Sequence, residues 1–193
     1  KINNGTASPR HLESITKACA GHRITIIDRV FDRREINALI NSCDCVISLH
    51  RSEGFGLSLA EAMYLGKPVI CTGYSGNMDF TKAENAFLVD YDLVQVGPSH
   101  APYDENAIWA DPSVEHASVH MRAVVSQPDL RSRSAGCGQA FIKKNFAPTA
   151  VGKLIDGRLK HLAQNRVIRV LARRGAVEPS TPERAELSER SAS

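Results

Sequence analysis

Residues 45–72 hold the feature that most limits what this chain can fold into. An apolar run, Cys45-Val46-Ile47-Ser48-Leu49, is followed by Glu53-Gly54-Phe55-Gly56-Leu57-Ser58-Leu59-Ala60-Glu61, and Ala62-Met63-Tyr64-Leu65 carries the pattern on to Gly66. Lys67-Pro68 then leads into a second apolar run, Val69-Ile70-Cys71-Thr72. Short apolar runs bounded by turn residues read as buried strands, and the text between them reads as a helix that glycine stops in the left-handed conformation. Strand, tight turn, helix, strand is the repeating unit of a parallel sheet. In such a unit the turn at the carboxyl end of the first strand is the binding place, because the first helical N–H groups point outward unpaired.

The chemistry of that turn favours a ligand that is sugar-like at both ends and anionic in the middle. Glu53 precedes the helix and Glu61 lies about a turn and a half into it, so the carboxylates can stand roughly 10 Å apart along the axis. The amides of Gly54, Phe55, Gly56 and Leu57 lie between them, at the positive end of the helix dipole, and glycine lets a phosphate approach the backbone. Carboxylates repel phosphate but accept well from hydroxyls. Sugar, diphosphate, ribose is the order that fits, which points to a nucleotide-sugar. Taken singly the pieces have plainer readings: helix glutamates are ordinarily solvated surface, and Gly-x-Gly also makes a simple tight turn. The flanking strands decide between them.

A coarse pass completes the expected architecture. Residues 9–20 read as a helix, 23–27 as a strand, and 32–42 as a helix capped by Asp32 ahead of Glu35. A short helix starts over 79–82 and a last strand covers 86–89. Residues 95–111 read as an ordered loop, then helices cover 112–125, begun by Asp111, and 130–145. Alternating short apolar strands and helices give an α/β class with a parallel sheet covered on both faces. A dinucleotide fingerprint, Gly-x-Gly-x-x-Gly, is excluded because Gly54-Phe55-Gly56 is followed at its third place by Leu59.

The stretch Glu53 to Glu61 resembles the E-x7-E motif of retaining glycosyltransferases of family 4. The text from Ile36 to Cys45 resembles the helix and strand before that motif. Gly66-Lys67-Pro68-Val69-Ile70 and Tyr74-Ser75-Gly76-Asn77 resemble the family's text after it. The resemblance spans residues 1–159 and is strongest over 24–90. It implies the second, donor-binding half of the two-domain GT-B fold, a Rossmann-like sheet truncated at its start, with residues 1–157 as the donor domain and 158–193 as a basic helix and disordered tail. It further implies that Glu53 contacts the donor sugar, Gly54 to Leu57 meet sugar and phosphate, Glu61 holds the ribose, and Val30, on the loop 28–31, lines the base. No cofactor or metal is called for. Leu49-His50-Arg51-Ser52 stands where the family often has Pro-Ser, and Arg51 suits bidentate binding of a phosphate or acceptor group. The acceptor domain and a basic pair that neutralises the diphosphate are expected to lie outside this chain, leaving it inactive alone. A surface-polysaccharide or lipid-linked acceptor is the implied context.

Composition sets the remaining bounds. Aromatic content of 6% argues against a base-stacking nucleic-acid surface. Of five cysteines, Cys43, Cys45 and Cys71 sit in or beside strand-like text and read as reduced core residues of a cytosolic protein. Charge is uneven: residues 141–177 hold nine Lys and Arg against one acidic residue, and residues 1–140 hold 13 against 16. Apolar positions 151, 154, 155, 159 and 162, with Lys153, Arg158 and Lys160 around them, form an amphipathic pattern. It closes the domain or, with the patch 166–174, lies on an anionic membrane at its inner face. A non-catalytic module acting through that segment is the alternative to the donor-binding reading.

Overall fold

Asp32 and Glu35 exchange hydrogen bonds in a full capping box, each side chain accepting from the other's backbone N–H, and this starts α2 (Arg33–Ser42). The computed structural model describes residues 2, 5–100 and 102–164. Ahead of α2 lies α1 (Pro9–Cys19), with proline at its first turn. Beyond it run β1 (Val46–Ser48), α3 (Leu57–Tyr64), β2 (Val69–Thr72), β3 (Phe87–Val89), β4 (Tyr91–Gln95), β5 (Ile108–Pro112), α4 (Val114–Ser126), α5 (Pro128–Asn145) and α6 (Pro148–Gln164).

β1, β2 and β3 form a parallel sheet in that order, Ile47 opposite Ile70 and Ile70 opposite Phe87. Every residue of the central strand β2 is buried, as a strand covered on both faces requires. Ile70 packs with Phe87, Val89, Ala117 and Val124, so alternation turns Val69 and Cys71 to the opposite face. Helices flank the sheet, and the α/β expectation is met.

α3 ends as its sequence requires. Gly66 takes φ +72°, its N–H donates to Met63 O at 2.9 Å, and Lys67 N–H donates to Ala62 O at 2.9 Å. Those two bonds make a Schellman close and satisfy carbonyls the helix would otherwise leave open. α5 seals the same end: Gln139 Nε2 donates to Tyr64 O at 2.9 Å, and Gly138 leaves just enough room for Met63.

Four expectations need correction. Residues 95–111 are not a loop throughout, because β5 pairs antiparallel with β4, Tyr91 opposite Pro112 and Gln95 opposite Ile108. Residues 23–27 make no regular strand; the extended segment has a single parallel bridge, Asp28 to Ile2, with Ile2 N–H donating to Ile27 O at 2.9 Å. Ser113, not Asp111, caps α4, its hydroxyl accepting from His116 N–H at 3.1 Å, because Asp111 is taken up by the β5 ladder. The short helix expected at 79–82 is a 3-10 turn over Gly76–Asp79.

The first compact unit is Lys1–Lys144 and the second begins at Asn145. α6 runs unbroken through residues 157 and 158. The basic patch 166–174 and the polar tail lie outside the described residues. Among the described residues no helix is long and apolar enough to cross a membrane.

Candidate functional site

Gly56 sets the entrance to α3. It is the N-cap, at φ +88° and ψ 49°, and a Cβ there would press to 3.2 Å on Asn77 Cβ. A side chain would therefore meet both a backbone penalty and a steric one. The Leu59 and Ala60 N–H groups donate to Gly56 O at 3.0 and 3.1 Å. The amides of Gly54, Gly56 and Leu57 donate to no backbone acceptor among the described residues, the usual state of a helix start. Phe55 lays its ring 5.0 Å from that of the fully buried Phe80, which anchors the turn to the core.

The turn is held from the far side by residues 74–77. Gly76 N–H donates to Glu53 O at 3.0 Å, and Glu53 N–H donates to Ser75 Oγ at 2.7 Å. Ser75 adopts φ +71° to present that hydroxyl, the sole non-glycine with positive φ among the described residues. Such a conformation costs of order 1–3 kcal/mol and persists only where its surroundings enforce it.

His50 completes the clamp. Asn77 Nδ2 donates to Thr72 O at 3.0 Å and Thr81 Oγ1 at 3.1 Å, so Asn77 Oδ1 is left to accept. His50 Nε2 lies 3.0 Å from that oxygen and 3.1 Å from Tyr74 O. Two acceptors around one nitrogen require Nε2 to carry the proton, and the Ser48 hydroxyl, 3.2 Å from Nδ1, then donates to the other nitrogen. His50 O in turn accepts from Thr72 Oγ1 at 2.7 Å. His50 thus ties the end of β1 to the end of β2 rather than standing free for catalysis.

The site residues expected from sequence have distinct surroundings. The Glu53 carboxylate is half-buried and has no hydrogen-bond or ion-pair partner among the described residues. Glu61, the fifth residue of α3, pairs through Oε1 with Arg33 at the first turn of α2. A carboxylate has two oxygens and about four acceptor sites, so this pair leaves Oε2 for a hydroxyl. Arg33 lies three residues beyond Val30, which is itself exposed. Arg51 turns to the β4–β5 hairpin: it pairs with Asp111 at 2.7 Å, stacks 5.1 Å from the Trp109 ring, and its carbonyl accepts from Ala110 N–H at 2.9 Å. Arg33, Ser75, Gly76 and Asn77 were not singled out as site residues from sequence. Three of them lie in the Tyr74-Ser75-Gly76-Asn77 stretch, where a non-helical Ser-Gly between strands was the available signal.

Comparisons with known proteins bear on the fold. Residues 7–95 match the family described as glycosyl transferases group 1. Over 130 residues the chain is 25% identical to the Homo sapiens alpha-1,3/1,6-mannosyltransferase ALG2, an alignment covering 67% of this chain and 26% of that protein. The Anabaena protein Alr3699/HepE, solved in complex with UDP-glucose, superposes with a TM-score of 0.58 at 20% identity, over 82% of this chain and 38% of that one. The C-terminal domain of the Francisella tularensis glycosyl transferase group 1 family protein LpcC superposes with a TM-score of 0.53 at 24% identity, over 75% of this chain and 65% of that one. The chain thus spans about a quarter of the length of the mannosyltransferase it matches. Over residues 7–95 it is similar to the glycosyl transferases group 1 family, and its α/β fold resembles that of these solved glycosyltransferases.

Proposed function

We propose that this chain is the donor-binding part of a retaining glycosyltransferase of family 4, with Glu53 and Glu61 as its E-x7-E pair. It binds a nucleoside diphosphate sugar and passes the sugar to an acceptor glycan, polysaccharide or lipid-linked, held by a separate acceptor domain. The observation that carries this reading is the mouth of α3. An αL glycine, Gly56, opens the helix behind Glu53, the amides of Gly54, Gly56 and Leu57 donate to no backbone acceptor among the described residues, and Glu61 is the fifth residue of the helix.

In this reading Glu53 orients the sugar hydroxyls and the α3 N-terminus faces the diphosphate. Negative charge grows on the leaving diphosphate as the anomeric bond breaks, and fixed N–H dipoles stabilise it without reorganising. Glu61 accepts from the ribose hydroxyls, Val30 lines the base, and Arg51 stands on the acceptor side of Glu53. The acceptor attacks from the face the diphosphate leaves, so Glu53 positions rather than forms a covalent bond. Support comes from the UDP-glucose complex of the Anabaena relative, whose fold this chain shares.

Thermal melts with UDP-glucose and GDP-mannose test the reading. One of them should raise the melting temperature of the full chain, as a ligand bound only by the native state does. No shift with any nucleoside diphosphate sugar would remove the donor-site assignment. A second reading rests on α6, where Leu154, Ile155 and Leu159 are exposed beside Lys153, Arg158 and Lys160. There this segment binds anionic membranes. Sedimentation with phosphatidylglycerol vesicles, compared with phosphatidylcholine, separates the two.

A further inference from the structure

Beside the turn before α3 lies a cavity of about 620 Å³. One wall is the approach to the motif, Arg51, Ser52 and Gly54; the other is the β4–β5 hairpin with its loop, Tyr103, Asp104 and Trp109. We infer that this cavity is a carbohydrate subsite that holds a pyranose ring of the acceptor against Tyr103 and Trp109. The inference rests on the donor-binding reading above and adds a contact on this chain to the acceptor that the separate domain holds.

The lining has the chemistry of a sugar site. Tyr103 and Trp109 meet edge to face with ring centroids 6.0 Å apart, and His100 packs at 4.9 Å on the Trp109 ring. Such rings offer flat apolar surface to the C–H face of a sugar, while Arg51 and Asp104 give a donor and an acceptor for its hydroxyls. An apolar hollow with a few convergent polar groups is the general form of a small-molecule site. Backbone bonds brace the hairpin. Ala110 N–H bonds to Arg51 O, and beyond the strands Val96 N–H donates to Ala107 O at 2.9 Å and Gly97 N–H to Glu105 O at 3.0 Å. Tyr103 is two-thirds exposed, so its ring is available.

Position selects an acceptor sugar over the donor's nucleobase. The cavity touches Gly54, next to Glu53, with open space beside the Gly54 Cα. Arg33, three residues beyond Val30, instead pairs with Glu61, eight positions further along the motif from Glu53. The hairpin therefore stands at the sugar end.

Trp109 is the single tryptophan of the chain and reports on the cavity directly. Its emission should respond saturably to methyl α-D-mannopyranoside or maltose in the millimolar range. Tyr103→Ala should weaken that response about three- to tenfold, the loss expected for one aromatic contact, while Tyr103→Phe retains it. Calorimetry with UDP and GDP on the same samples should show nucleotide binding unchanged by either variant. Nucleotide binding without any sugar response overturns the inference alone. A change in Trp109 emission on adding nucleotide, competing with sugar, also overturns it, since the cavity then takes the donor. A sugar response without nucleotide binding upholds the subsite and removes the donor-binding reading.

Discussion

Gly76 stands against Gly54 with no room for a side chain between them. A Cβ on Gly76 would run into the Gly54 carbonyl and come within 2.9 Å of Glu53 O, the oxygen that Gly76 N–H already holds at 3.0 Å. The loop after β2 thereby fixes the height of the turn before α3. Gly76→Ala should push the motif outward, destabilise the chain by about 1–3 kcal/mol as overpacking does, and weaken nucleotide-sugar binding. Gly54→Ala has open space beside it and should leave the urea midpoint nearly unchanged. Equal midpoints for the two variants would contradict the clamp.

Ser75 separates two costs that its neighbours impose together. Ser75→Ala removes the acceptor of the 2.7 Å bond from Glu53 N–H and keeps the strained φ of +71°, so stability should fall by about 1 kcal/mol or more. Ser75→Gly removes the same bond but relieves the strain, and should lie close to the parent in denaturant melts. Both should loosen Glu53 and lower affinity for the donor sugar, which a thermal-shift titration would read.

Arg33 and Glu61 are mostly a surface pair, Arg33 being 63% exposed, and such pairs contribute roughly 0–1 kcal/mol. Arg33→Ala should therefore change the melting temperature little. Its effect should appear in donor affinity, because the Glu61 carboxylate loses the partner that orients it. Titration of nucleoside diphosphate into the variant checks this.

Cys45 and Cys71 give the fold an alkaline limit. Burial pushes each thiol up to about 11 from an ordinary value near 9, since a thiolate is poorly solvated there. Between these values the unfolded chain has lost protons that the native chain keeps, so stability is full below about pH 9 and falls as pH rises towards 11. A melting series across that range should decline, and Cys71→Ala should flatten it. The same burial predicts that iodoacetamide modifies the exposed Cys137 well before Cys71.

The strand–turn–helix–strand unit was legible because apolar runs, Gly66 and Pro68 mark its edges locally. The capping box at Asp32 was legible for the same reason: both partners lie within four residues. The β4–β5 hairpin was not, because Tyr91, Asp92, Leu93 and Gln95 are all exposed, and a strand without a buried face leaves no alternating pattern to read. Residues 23–27 misled in the opposite sense, being apolar in text but bridged at a single residue. The parts of the site beyond the motif, His50 with Asn77 and Gly76 with Glu53, join residues more than twenty positions apart, and only the folded chain brings them together. Arg51 shows how a residue type is read while its partner is not: its ion pair lies on a hairpin that the sequence reading left irregular.

Calorimetric titration of the parent chain, Glu53→Gln and Glu61→Gln with UDP, UDP-glucose, GDP and GDP-mannose tests the central claim most directly. With the preferred base, Glu61→Gln should weaken both the nucleotide and its sugar conjugate by about tenfold, the loss of a strong carboxylate–hydroxyl interaction. Glu53→Gln should leave the bare nucleotide almost unaffected and remove the extra affinity that the sugar supplies. Affinities that do not distinguish the two variants from the parent would contradict a site gripped at one end by Glu53 and at the other by Glu61.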